Sequence, residues 1–259
     1  MTIEVDPGWW KTLFDDVYLV TDARSVDNAA VTRREIDIFT SLLPLRPRDR
    51  ILDLCGGHGR HAIELSRRGF HACTVLDYSQ RLLDIGAGNA AAENCPVRFL
   101  QGDARHTGLD TDTFDHVLIL GNSLGYIPEP NADLEILREC RRLVMPRGWL
   151  LLDVTDGAAV DNNMAPQAWH EIGEDVVVCR QREVHKGTIR AREMVLSKAA
   201  GLIRDRTYSI RLYRADALAN LVKRAGFEAV QVHSDASALD PDLDVGCMNH
   251  RIVVVARNP

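Results

Sequence analysis

A chain of 259 residues, 46% hydrophobic and 26% charged, is long enough to enclose one large core, or one core with a sizeable insertion. Its net charge of −6 offers a nucleic-acid partner no overall attraction, and the arginine pairs Arg67-Arg68 and Arg141-Arg142 read as solvated helix faces. Cys55, Cys73, Cys95, Cys140, Cys179 and Cys247 are widely spread with no C-x-x-C pair, which suggests neither a disulfide framework nor a zinc site. The stretch MTIEVDPGWWKTLFDD carries acids where a secretory signal has bases, and no apolar run approaches membrane-spanning length. A cytoplasmic protein with no membrane partner is expected.

In chain order, residues 7–43 read as mostly helical, over WWKTLFDDVYL and AAVTRREIDIFTSLL, and Pro44 and Pro47 close that section. RILDL (50–54) then reads as a strand. HAIELSRRG (61–69) reads as a helix that turns Ala62, Ile63, Leu65 and Ser66 toward a sheet. HACTVLD (71–77) is a second strand, and SQRLLDIGAGNAAAEN (79–94) a second helix with Ser79 as N-cap. PVRFLQGD, FDHVLILGN, the helical ADLEILRECRRLV and the strand WLLLDVTD follow. Strands alternating with helices predict a doubly wound, mostly parallel α/β sheet, and VLIL and LLLD are apolar on both faces, as buried parallel strands require. From about Trp169 to Arg214 the rhythm changes: DVVVCRQREV, REMVLSKA and RDRTYSIRLYR alternate with period two and have no long helices between them. An antiparallel β insertion at about 160–214 is expected, serving as a lid or an interface, and its exposed edges make a homodimer plausible. ADALANLVKRAGF is a last helix, ending at Gly226, and EAVQVH and RIVVVARNP supply two last strands.

The turn between the first strand and its helix carries the chemistry. Gly57 to Ala62 fits G-x-G-x-x-A, a dinucleotide fingerprint that is weak alone, and a nicotinamide-dependent oxidoreductase remains an alternative. No Tyr is followed four residues later by Lys, the usual short-chain dehydrogenase pair. The wider pattern is more specific. Asp53 ends the first strand before the turn of Cys55, Gly56, Gly57 and Gly59. Asp77 ends the second strand, Gly102-Asp103-Ala104 the third, and Gly121-Asn122-Ser123 the fourth.

These four motifs, LDLCGGHG, VLD, QGDA and LGNSLGY, resemble in order those of the class I S-adenosylmethionine-dependent methyltransferases. The resemblance is strong over residues 45–155 and looser over the last two strands. Cys55 stands where many members carry glycine. The resemblance implies a Rossmann-like seven-stranded domain over 47–259 and a helical cofactor-covering segment over 1–46. It implies S-adenosylmethionine as cofactor. Backbone N–H groups of the turn suit the methionine carboxylate and Asp53 the ammonium. Asp77 can accept from the ribose hydroxyls, and Tyr78 can lie against the adenine. Asp103 and the Ala104 N–H can meet the adenine edge, with Gly121 at the fourth strand end. Tyr18 and Arg24 of the leading segment are candidates for the methionine carboxylate.

On the acceptor side, the G-N-S loop resembles small-molecule N-methyltransferases of the glycine and sarcosine type. That makes Asn122 and Tyr126 candidates to steer and wall the acceptor. DVTDG lacks the arginine that glycine-type enzymes carry there, which puts glycine itself in doubt. In TYSIRLYR, Tyr208, Ile210 and Leu212 face one way and Ser209, Arg211 and Tyr213 the other. Arg211 and Tyr213 are expected to meet an anionic acceptor if their face covers the cleft. Trp9, Trp10 and Phe14 are expected to pack the leading segment onto the body rather than stack on substrate. A small-molecule acceptor methylated on nitrogen rather than oxygen is expected. Intramolecular alkylation of the cofactor is the alternative within the fold, and no metal is called for.

Overall fold

The computed structural model describes residues 2–234 and 250–259, apart from the side chains of Arg24, Asn162 and Asn163. The side chain of Arg24 and the whole of Cys247 thus lie outside the described residues.

The apolar runs form β1 (Ile51–Leu54), β2 (Cys73–Asp77), β3 (Val97–Gln101), β4 (Phe114–Ile119) and β5 (Val144–Thr155). β1 pairs in parallel with β2 and β4, β2 with β3, and β4 with β5. Two late strands, β10 (Glu228–Ser234) and β11 (Arg251–Arg257), add on antiparallel beyond β5. The result is a seven-stranded sheet in the order β10-β11-β5-β4-β1-β2-β3. Strands that alternate apolar residues to both sides need cover on both. On one face Leu52, Val117, Ile119, Leu150 and Val254 pack with Ile136 and Leu137 of α6 (Ala132–Leu143) and with Leu218 and Val222 of α8 (Ala215–Arg224). On the other, Ile51, Leu118, Leu151 and Val253 pack with Ile36 and Phe39 of α3 (Ala29–Leu42), Ala62 and Leu65 of α4 (Arg60–Arg67) and Leu83 of α5 (Gln80–Ala92). Ser79 caps α5, its hydroxyl accepting from the Leu82 N–H at 3.3 Å.

The helical stretch expected over WWKTLFDDVYL falls into two pieces. Trp9–Lys11 form a single 3-10 turn, and α1 (Asp16–Thr21) starts anew, followed by α2 (Ala23–Val26). The break is at Asp15, whose backbone is extended and whose carboxylate accepts from Val17 N–H at 2.9 Å and Tyr18 N–H at 3.2 Å. An aspartate inside an apolar pattern thus acts as a helix start rather than a helix interior residue.

After β5 come the short α7 (Gly157–Asn163) and the insertion. β6 (Gln167–Ile172), β7 (Val176–His185), β8 (Thr188–Ser197) and β9 (Gly201–Arg211) form a four-stranded antiparallel meander in chain order. The β7–β8 turn is Lys186-Gly187, with φ of 49° and 71°, the paired positive values of a tight two-residue hairpin. That turn extends β8 four residues ahead of the stretch that alternation alone marks. The meander is tied to the main body: Gly125 carbonyl accepts from Arg211 N–H at 2.8 Å and Tyr213 carbonyl from Gly157 N–H at 2.9 Å. Among the described residues no helix is long and apolar enough to cross a membrane.

Candidate active site

The glycine turn is built by close approach. Between β1 and α4 the backbone turns left-handed at Cys55, Gly57 and Gly59, with φ of 61°, 57° and 71°. A Cβ on Gly56 would stand 2.6 Å from Asp53 Cγ, and one on Gly59 would stand 2.7 Å from the Phe99 ring. Neither position admits a side chain without displacing a neighbour. Cys55, which stands where many members carry glycine, takes up the left-handed region that glycine enters without strain.

Asp77 closes the turn from β2. One carboxylate oxygen accepts from Gly57 N–H at 2.8 Å and the other from Ser79 N–H at 2.8 Å. Burial pushes its pKa up against those N–H groups. Each oxygen keeps a lone pair for a further donor. Asp53 lies beneath the turn, 1% exposed, and neither of its carboxylate oxygens has a hydrogen-bond partner among the described residues. Burial, reinforced by Asp77, drives its pKa up to about 7, while Arg60 and the Ala62 N–H pull the other way. An orphaned buried carboxylate is costly, and a bound cation is the natural remedy. The base of α4 is fixed to α3: Arg60 donates to Thr32 Oγ1 at 2.8 Å and pairs with Glu35, and His61 Nε2 lies 2.9 Å from the same carboxylate. Burial would raise the Glu35 pKa, but Arg60 and His61 overcome it and hold the carboxyl well below the usual range.

Above the turn a cavity opens between the sheet edge, the leading segment and the inner face of the meander. Its walls are aromatic. Phe14 stacks on Tyr126 with centroids 5.6 Å apart, and Trp9 meets Tyr126 at 5.4 Å and Tyr208 at 5.8 Å. Tyr18 packs edge-on to Phe14 at 5.0 Å. Trp10 meets Tyr78 at 4.8 Å, with the Arg105 guanidinium 5.5 Å above it. Arg105 also pairs with Asp103 at 2.6 Å and keeps that carboxyl below its ordinary pKa. Asn122 has φ of 65°, and its side-chain oxygen accepts from Thr155 N–H at 2.9 Å. The Tyr126 hydroxyl lies close enough to Asn122 to feel its amide, yet burial pushes its pKa up strongly. The Asn122 oxygen expected to meet an acceptor is already engaged by the Thr155 N–H.

Tyr18, Gly56, Gly57, Asp77, Tyr78, Asp103, Ala104, Gly121, Asn122 and Tyr126 line this one cavity, with Asp53 and Gly59 set beneath it. Arg211 and Tyr213 do not line it, and this corrects their expected placement. Both are drawn to Asp133 on α6, Arg211 as an ion pair and Tyr213 as a hydroxyl donor. The alternation of β9 is as expected, but the meander turns the other face inward, so Tyr208 and Ile210 line the cavity. Trp9, Trp10 and Phe14 pack the leading segment and also line the cavity, a double role that sequence reasoning missed. It also missed Asp22, His58, Arg180, Arg182, Glu193 and Arg204. The inward arginines have a sequence signal: Arg180 and Arg182 fall on the same parity as the fully buried Val178.

A family model described as a methyltransferase domain matches residues 51–148. A putative methyltransferase, YqeM of Bacillus subtilis, is 28% identical over 76% of this chain and 81% of its own. The glycine/sarcosine N-methyltransferase of Halorhodospira halochloris is 25% identical over 85% of this chain and 80% of its own. Among solved structures, the CcbJ methyltransferase from Streptomyces caelestis superposes with a TM-score of 0.76 at 20% identity, covering 98% of this chain and 99% of that one.

Proposed function

We propose that this chain, which belongs to the class I S-adenosylmethionine-dependent methyltransferases, carries the methyl to a nitrogen of a small-molecule acceptor. The observation that carries the reading is the aromatic cavity that adjoins the glycine turn and the Asn122–Tyr126 pair.

The residues present fit the cofactor. Asp53, orphaned and buried, is suited to take its ammonium, directly or through water. The left-handed turn at Gly56 to Gly59 and the start of α4 suit its carboxylate, with Tyr18 and Arg24 as further candidates from the leading segment. Asp77 keeps lone pairs for the ribose hydroxyls. Tyr78 with Trp10, and Asp103 with Ala104, flank the place left for the adenine, and Gly121 leaves room at the fourth strand end. When bound, S-adenosylmethionine supplies an electrophilic methyl on a sulfonium. The protein's part is to place a lone pair in line with that methyl and to keep water out.

Nitrogen is favoured over oxygen because a neutral amine brings its own lone pair, whereas a hydroxyl acceptor needs a base. Of the two imidazoles at the cavity, His61 is engaged with Glu35. Burial lowers the pKa of both. It also raises those of the Tyr18, Tyr126 and Tyr208 hydroxyls, which leaves none of them a phenolate base. The rings of Phe14, Tyr18, Trp9 and Tyr126 suit an amine that leaves as a methylated cation. The likeness to a glycine/sarcosine N-methyltransferase supports the same reading.

The test is mass spectrometry of a panel of amines and their hydroxyl analogues incubated with S-adenosylmethionine. Products one methylene heavier are expected from the amines, at a rate that rises with pH toward the acceptor's own pKa. Methylation of the hydroxyl analogues in preference to the amines would reverse the assignment.

A further inference from the structure

We propose that the acceptor carries a carboxylate beside its amine, and that Arg182 of β7 receives it. This rests on the methyl-transfer reading and names the acceptor class for the same cavity.

The meander's inner wall is rich in charge, and most of that charge is matched. Arg180 donates to Glu193 at 2.8 Å and to both carboxylate oxygens of Asp22, at 3.1 and 3.2 Å. Arg204 pairs with Asp15 through Nη2, and its Nη1 stands 3.5 Å from Glu193. Arg182 lines the same cavity, yet no carboxylate among the described residues comes within ion-pair distance of it. Register puts Arg182 opposite Ala191, and Ala191 opposite Tyr208. Between two long side chains the row holds one methyl, so no side chain of β8 reaches across to satisfy the guanidinium.

Of the three arginines on that wall, Arg182 is thus the one with no carboxylate partner among the described residues, and it suits a group offering lone pairs and negative charge. A single uncommitted guanidinium fork matches one planar carboxylate in geometry and in charge. A phosphate dianion would leave one charge unmet.

The experiment begins with calorimetric titration of S-adenosylhomocysteine, which tests the underlying methyltransferase reading by itself. The loaded protein is then titrated with amino acids of rising size, from glycine to phenylalanine, with their carboxamides, and with O-phosphoethanolamine, following tryptophan fluorescence. At least one acid is expected to bind about tenfold or more tighter than its carboxamide, as loss of a charge-assisted pair implies. In Arg182→Gln that preference falls to about twofold or less, while Arg182→Lys retains part of it and S-adenosylhomocysteine binds both variants as it binds the parent. Several outcomes overturn the proposal: equal binding of acids and amides, an acid preference that survives Arg182→Gln, tighter binding of O-phosphoethanolamine, or no saturable binding by any acid. Failure of S-adenosylhomocysteine itself to bind would instead overturn the reading beneath it.

Discussion

At the scale of single residues, the site is a set of carboxylates in unlike surroundings. Asp77 is satisfied by two backbone N–H groups and organises the turn, while the buried Asp53 carboxylate has no hydrogen-bond partner among the described residues. Replacing Asp77 by Ala removes the turn's clamp and the acceptor proposed for the ribose. Cofactor affinity should fall by about 1–3 kcal/mol, read by calorimetry with S-adenosylhomocysteine. Unchanged affinity would remove the assignment. Asp53 makes a different prediction. Its folded pKa of about 7 lies above the unfolded carboxylate value, so between the two the native state binds more protons. Stability of the ligand-free protein should therefore decline as pH rises from about 4 to about 7 through this group. Asp53→Asn should flatten that part of the profile and weaken cofactor binding. Denaturant melts at stepped pH would show it, and a profile unaltered by the substitution would contradict the orphaned-carboxylate account. Tyr126→Phe and Asn122→Ala bear on positioning. If Asn122 acts by orienting the Tyr126 hydroxyl, the two substitutions should lower kcat by similar factors and the double variant should be no worse than the worse single one. Additive losses would place Asn122 in an independent role.

At the scale of elements, the parallel sheet was legible because its strands are short apolar runs bounded by Gly and Asp and spaced by amphipathic helices. The leading segment was less so: Asp15 looks like one polar residue inside WWKTLFDDVYL, and only its capping bonds reveal a helix start. In the meander, period-two alternation sorts residues into two faces but does not say which faces inward. The Arg211–Tyr213 face carries the conspicuous polar groups, but the fully buried Val178, Ala191 and Val195 mark the other face as the inward one. The link between elements also gives a prediction. α3 and α4 share a buried Glu35 held by Arg60 and His61, and Glu35→Ala would strand a buried arginine beside the turn. A loss of about 3–5 kcal/mol of stability is expected by denaturant unfolding. A loss below about 1 kcal/mol would mean the network contributes little.

At the scale of the whole molecule, the sheet supplies the turn and strand ends, and two additions outside it supply the cover. The leading segment and the meander meet each other over the cavity through Asp22–Arg180, Asp15–Arg204 and the Ile3 N–H on Glu183 at 2.9 Å. The strand-end motifs were readable because the cofactor's groups dictate them. The wall proposed for the acceptor was not, because its charges become meaningful only once the meander's inward face is known. The most direct measurement of the central claim is calorimetric titration of S-adenosylhomocysteine into the intact chain. Saturable binding at one site per chain, weakened by Asp77→Ala, is the result expected. No heat of binding, with NADPH taken up at the glycine turn in its place, would contradict it.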